Sequence, residues 1–355
     1  MSPSRDNSIV INYSLPQNFD SKDSTQDVFK KISPEILPAP KIKFLKNFRI
    51  SQNSIAFNYF NIIKETCIGE DDQIYKKYQK GFGFFLKYIF PKFNFSKKRL
   101  LLITDEWTTN YYHWHIFALK KLVILKEAGL LKDSLLFLPR RYLTCSFALT
   151  SLEKFGVKKE QIIFLRKRSN IKAREIAFVK APHRVPSAII SMRKILLKNV
   201  QKISGHKRIF ISRQKQKLRF IENENEVMQL LAHYGFEKIY MEDLSYEQQI
   251  SICANAKYIV GPHGAGLANL LFAREDASVL ELSGAPDIWK PVTDFYRLSN
   301  ILNLKYFYQE CEFGENSQVK DFHHGSLVVD LVRLEQNLKL MLKDEPEFFT
   351  KPPAA

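Results

Sequence analysis

Three groups of residues in this 355-residue sequence have types and spacings suited to chemistry. The first is GPHGAGLAN at 261–269, entered directly from the apolar run KYIV. Gly261, Gly264 and Gly266 permit close backbone approach and positive φ. A helix is expected to begin here, and the free N–H groups of a helix start can face a phosphate. His263 offers a hydrogen bond or, when protonated, a charge. The spacing is not G-x-G-x-x-G, and it lacks the Lys and Ser/Thr of a Walker loop, so plain strand-to-helix geometry fits the same residues. The second group lies in ISRQKQKLRFIENENEV at 211–227. Arg213 follows a predicted strand end, with Lys215, Lys217 and Arg219 after it. A guanidinium grips phosphate oxygens with a planar fork, whereas a solvated basic loop is the plainer reading. Both segments fall at strand carboxyl ends of one domain, and together they predict a diphosphate site. Asn223 and Glu224 open the next helix and read mainly as structural.

The third group is NYYHWHIF at 110–117, with Asp105 and Glu106 just before it. His113 can serve as a base near neutral pH, and Asp105 or Glu106 can orient it or act instead. His113 and His115 are two apart and cannot share a helix face, which argues against a metal pair. Trp107, Tyr111, Tyr112 and Trp114 are either core or a platform for a sugar ring.

These residues need elements to hold them. RLLLITDEW (99–107), SLLFLP (134–139) and QIIFLR (161–166) read as strands, separated by helices over 111–130 and 144–156. The rhythm is that of a parallel α/β unit. Residues 167–188, basic and interrupted by Pro182 and Pro186, read as an inter-domain connection. The rhythm then resumes: a helix over 186–203, strands at 207–213, 238–243, 257–260 and 277–283, helices over 223–236 and 245–256, and a last helix over 326–343. The predicted domains are a lead-in segment 1–45, a Rossmann-like domain 46–185, a second Rossmann-like domain 186–325, and a helix with tail 326–355 packing across both.

Composition bounds the function. Lysine and arginine number 54 against 37 acids, a formal charge of +17, which calls for an anionic partner or serves solubility. Nucleic acid, an anionic membrane surface and a phosphorylated substrate are the three candidates. Four scattered cysteines without a C-x-x-C pair argue against a disulfide scaffold or structural zinc. No apolar run is long enough to span a membrane. The N-terminus has no signal-peptide character, so a cytoplasmic protein is expected. Residues 74–99 interleave lysines with aromatic residues, as a helix with a buried aromatic face or as a patch resting on an anionic membrane.

Taken together, NYYHW (110–114), FISRQKQKLRFIENENEV (210–227), SYEQQISICANAKYIVGPHGAGLANLLF (245–272) and VLEL (279–282) resemble glycosyltransferase family 61. The resemblance covers most of 100–285. It implies a GT-B architecture, two Rossmann-like domains facing a cleft, with the C-terminal one holding a nucleotide-sugar. It also implies inverting transfer of a sugar, from UDP-sugars in known members, to an acceptor hydroxyl of a glycan or lipid-linked glycan. Bacterial relatives serve capsule and surface polysaccharide synthesis. On this likeness Arg213 and Arg219 hold the diphosphate, with Lys217 beside them. His263, Gly264, Ala265 and Gly266, with Gly261 and Asn269, line the nucleotide pocket. Glu281 binds ribose hydroxyls or is structural. Asn110 and His113 face the reaction centre, and Trp114 and His115 join the substrate side. Where the family shows an acid and then Pro-Arg after the His-Trp pair, this chain has Phe117, Lys120 and Lys121. The base therefore stays open among His113, Asp105, Glu106 and an acid elsewhere in the N-terminal half. No cofactor is expected, and no D-x-D motif suggests a metal. A non-catalytic polysaccharide- or nucleic-acid-binding protein is the alternative.

Overall fold

The computed structural model describes residues 8–58, 61–67, 76, 95–166, 169–201, 208–284, 293–316 and 324–345. The chain forms two compact units, one of residues 1–9 with 36–196 and the other of 10–35 with 197–355. The basic aromatic stretch 74–94, residue 76 apart, lies outside the described residues.

The first unit is built on a five-stranded sheet. Its strands are β1 (Lys41–Lys46), β2 (Arg99–Leu102), β3 (Ser134–Pro139), β4 (Ile162–Leu165) and β5 (Glu175–Lys180), in the order β4-β3-β2-β5-β1. Only β1 runs antiparallel. Helix α1 covers 111–127 as Tyr111–His113, a π-helical turn Trp114–Leu119 and Lys120–Glu127. Helices α2 (Ser146–Lys154) and α3 (Pro186–Leu196) follow. One face of the sheet carries α1, which packs on β5 and α3. Side chains alternate along a strand, so Leu100, Leu102, Phe137, Ile176 and Phe178 point to the other face. There they form a core with Ile50, Ala56, Ile171 and Ala173. Those four belong to a second, smaller sheet of Asn61–Ile62, Ala56–Asn58, Arg49–Ser51, Asn170–Ala173 and Phe95–Ser96. A doubly wound domain would place helices at this face; here a sheet covers it.

The expected connection 167–188 holds two strands instead, and β5 lies inside the main sheet between β2 and β1. Its apolar centre, Ile176 to Val179, is buried on both faces, as an interior strand requires.

The second unit has a six-stranded sheet of β6 (Arg208–Ile211), β7 (Glu237–Ile239), β8 (Tyr258–Pro262), β9 (Ser278–Gly284), β10 (Lys305–Phe313) and β11 (Leu327–Val328). The order is β7-β6-β8-β9-β10-β11, parallel apart from β11. Helices α4 (Glu224–His233) and α7 (Leu331–Met341) place Val227, Leu231, Leu334 and Leu338 against Phe210, Val260 and Leu280 on one face. Each such fully buried side chain contributes roughly 1.5–3 kcal/mol. The opposite face meets a 3₁₀ segment, Ala265–Phe272, against which α5 (Tyr246–Asn255) and α6 (Asp294–Ile301) pack. This doubly wound order reverses direction between β6 and β8, and ligands in such sheets bind past the strand carboxyl ends at that reversal.

Residues 10–35 are part of this unit. Asn18 accepts from the Tyr308 amide at 3.0 Å and donates to its carbonyl at 2.7 Å. Phe29, 2% exposed, packs on Tyr296 and Tyr308 with ring centres 4.7 and 5.2 Å away. The expected lead-in thus completes a core.

Candidate functional site

At the reversal between β6 and β8, the segments after the two strands meet. Arg213 follows β6, and Gly264 follows β8. Gly264 has φ 154° and ψ −178°, a backbone region open in practice only to glycine. A Cβ there would lie 2.8 Å from the Arg213 Cζ, so the missing side chain is the room the guanidinium occupies. Gly261 and Gly266 have another reason. Cβ atoms at these positions would come within 3.2 and 3.0 Å of Ile211 side-chain atoms. Those two glycines let the turn close onto the end of β6.

Arg213 donates from one terminal nitrogen to the Leu218 carbonyl at 3.1 Å, which holds the 213–218 loop closed. The Nε atoms of Arg213 and Arg219 are buried with no hydrogen-bond partner among the described residues. Burial, then the neighbouring Arg219 charge, push the Arg213 guanidinium down to about 10, against Glu242. Burial likewise lowers Arg219, against the Glu281 charge. Arg219 also has φ 56°, a left-handed backbone uncommon for a long side chain. Two half-buried guanidiniums held close, with donors unspent, make a site that an anion would relieve.

His263 is 8% exposed, and its Nδ1 meets a Glu281 carboxylate oxygen at 2.5 Å. The other Glu281 oxygen accepts from the Tyr306 hydroxyl at 2.6 Å. Glu281 is 1% exposed. Its place is beneath His263, fixing that ring, rather than out among ribose hydroxyls. Asn269, also 1% exposed, donates to the Gly266 carbonyl at 3.0 Å and so ties the turn. Ala265 opens the 3₁₀ segment, which stands where a helix was expected. Lys217 is exposed, while Lys215 pairs with Asp243. Glu224 is buried and accepts from Ser212 at 2.7 Å, bracing the strand end before Arg213.

The first unit has its own strand reversal, between β2 and β5. Asp105 follows β2, and one of its oxygens accepts from the Trp107 and Thr108 amides at 3.0 and 3.1 Å. The other faces Lys121 at 3.6 Å. This carboxylate shapes a turn. Glu106, half-buried, accepts from Asn53 at 3.1 Å. Asn110 is exposed and caps α1, its oxygen accepting from the Tyr112 amide at 2.9 Å. His113, half-buried, has the Trp107, Tyr112 and Phe117 rings around it at 5.7, 5.5 and 5.1 Å.

Trp114 and His115 do not stand on a substrate-facing surface. Both are 0% exposed. The Trp114 indole donates to Ser151 at 2.8 Å, and His115 pairs through Nδ1 with the Tyr111 carbonyl at 2.7 Å. Burial pulls the His115 imidazole down to about 4. These positions face inward because the α1 stripe that packs on the sheet runs through them.

Several partners escaped the sequence reading. Lys120 is 1% exposed and donates to the Pro182 and His183 carbonyls at 2.5 and 2.9 Å, clamping the turn after β5. Burial, then Lys121 and Arg184, hold its ammonium well below the usual lysine range. Tyr306 holds Glu281 from the neighbouring strand, β10. A basic residue at a helical core position was the one visible signal for Lys120; Tyr306 left none. Among the described residues, no cluster of three His, Cys, Asp or Glu side chains is placed to hold a metal ion. No helix among them is long and apolar enough to cross a membrane.

A family model described as Glycosyltransferase 61 matches residues 111–280, from the start of α1 into the first half of β9. That range takes in His113, Arg213, Arg219 and the 261–269 turn. No curated protein matches the chain.

Proposed function

We propose that this chain, a glycosyltransferase by the family 61 domain it carries over 111–280, moves a sugar from a UDP-sugar to an acceptor hydroxyl with inversion. The reading rests above all on the Arg213–Arg219 pair. Two half-buried guanidiniums with unpartnered Nε donors sit at a strand reversal, one locked against Gly264. The second unit would take the donor, its diphosphate on Arg213, Arg219 and the amides of the 261–269 turn. As the glycosidic bond breaks, negative charge grows on the leaving diphosphate, and preorganised donors stabilise it. His263, steadied by Glu281 and Tyr306, adds a donor from its other ring nitrogen. The first unit would take the acceptor, with His113 or Glu106 accepting its proton. Asp105 is the less available of the acids, since amides and Lys121 already engage it. A GT-B arrangement of the units, a surface polysaccharide as product, and a cytoplasmic enzyme working beside the anionic inner membrane complete the proposal. The +17 charge supports the last of these.

Arg213→Ala tests it. Turnover of the donor should fall about 100- to 1000-fold, the range for losing one preorganised donor to developing charge. The melting temperature and circular dichroism should stay near those of the parent. Undiminished donor turnover by the folded variant sinks the assignment. Running both proteins with and without EDTA reads any metal requirement directly.

A further inference from the structure

A cavity of about 530 Å³ opens in the first unit, away from the groups described above. It is lined by residues at the other end of the sheet: Lys98 just before β2, Ser134 at the start of β3, and the segments that follow α1 and α2. The residues after β2 and β5 lie at the opposite, carboxyl ends of those strands. The size is within the range of small-ligand pockets.

Four lysines line it, Lys98, Lys126, Lys132 and Lys158, against one acid, Glu160. Among the described residues none of these lysines is paired with a carboxylate. The C-termini of α1 and α2 end nearby and bring partial negative charge. Lys126 answers the second by donating to the Phe155 carbonyl at 2.6 Å. Among the described residues the other three ammoniums have no such partner. The walls are fixed before any ligand arrives. Gln161 accepts from the Lys158 amide at 3.0 Å and donates to the Leu131 carbonyl at 3.3 Å, joining two sides of the opening. Ser134 is 2% exposed, and its hydroxyl oxygen has no hydrogen-bond partner among the described residues. A buried hydroxyl left unpaired costs stability.

We infer that this cavity binds a phosphate-bearing anion, with the lysines neutralising it. The inference is independent of the donor site. The phosphate belongs either to a soluble molecule or to a lipid headgroup.

The test uses the full chain carrying Arg213→Ala and Arg219→Ala, which removes both guanidiniums of the donor site. Inorganic pyrophosphate is titrated calorimetrically into it, and into the same protein with Lys132→Glu and Lys158→Glu added. Binding should persist in the first and weaken at least tenfold in the second. Sedimentation with phosphatidylcholine vesicles, with and without phosphatidylglycerol, separates the sources. Pelleting that needs the anionic lipid, and that the Lys132→Glu and Lys158→Glu pair weakens, assigns a headgroup; pyrophosphate binding without pelleting assigns a soluble ligand. Neither pyrophosphate binding nor pelleting, or binding indifferent to both lysine substitutions, overturns the inference.

Discussion

His115 shows how far a residue's surroundings decide what it can do. Its ring is wholly buried and held near a pKa of about 4, so it stays neutral at working pH. An unfolded chain restores the ordinary value of 6.5. Between those two values the unfolded state binds more protons than the folded one, and stability therefore rises with pH. The stabilisation is whole above pH 6.5 and is lost as the pH falls towards 4, a swing of about 3 kcal/mol. His115→Asn keeps an N–H near the Tyr111 carbonyl but cannot titrate. It should be less stable than the parent at pH 7, and the gap should shrink by up to about 3 kcal/mol by pH 4. Urea unfolding at a series of pH values measures this; a gap independent of pH refutes it. At this scale the sequence was legible where chemistry follows from residue type. Arg213, Arg219 and Gly264 meet as their types suggested. It was illegible where burial reassigns a polar group, as it does for Trp114 and His115, whereas the structural reading of Glu281 is the one its burial supports. Which face of α1 looks inward, and what lies beneath His263, depend on packing partners far away in the chain.

Elements were legible where apolar runs were long and punctuated. β2, β3, β4 and β8 stand close to where their runs placed them, and Gly129, Gly156 and Gly235 follow their helices at positive φ. β5 was not legible. Its buried core is only Ile176 to Val179, closed by Glu175 and Lys180 and followed by Pro182, and this reads as a basic linker. β1 hides in the same way, as KIKFLK is half lysine. An edge strand needs no hydrophobic surplus when its partner supplies it. The cap of α1 carries a prediction of its own. Asn110 accepts from the amides of the first turn, and that turn sets the place of His113. Asn110→Ala should lower stability by about 1 kcal/mol and lower kcat through a loosened His113. The KM for acceptor should hardly move. A raised acceptor KM at unchanged stability would instead make Asn110 a substrate contact.

In the whole molecule, distant segments are joined through single side chains. Residues 10–35 lie far in sequence from the rest of the second unit, yet they supply Phe29 to its core. Phe29 packs edge-on against Tyr306 at 6.1 Å, Tyr306 holds Glu281, and Glu281 holds His263. A run of packed groups therefore reaches from the N-terminal segment to the turn at 261–269. Nothing in the sequence announced it, because Pro16 and Pro34 break the periodicity of that segment and its partners are nearly 300 residues away. Phe29→Ala removes a buried aromatic ring, at a cost of about 3–5 kcal/mol. The loss should be confined to the unit that contains the ring. Amide hydrogen exchange should speed up along β9 and β10 and stay unchanged along β2 and β3. UDP should bind severalfold more weakly, because Tyr306 and Glu281 lose their backing before His263 does. Equal loss of protection in both units would show that they unfold as one. Undiminished UDP binding alongside deprotected β9 and β10 would break the link between Phe29 and His263, leaving Phe29 a purely structural anchor.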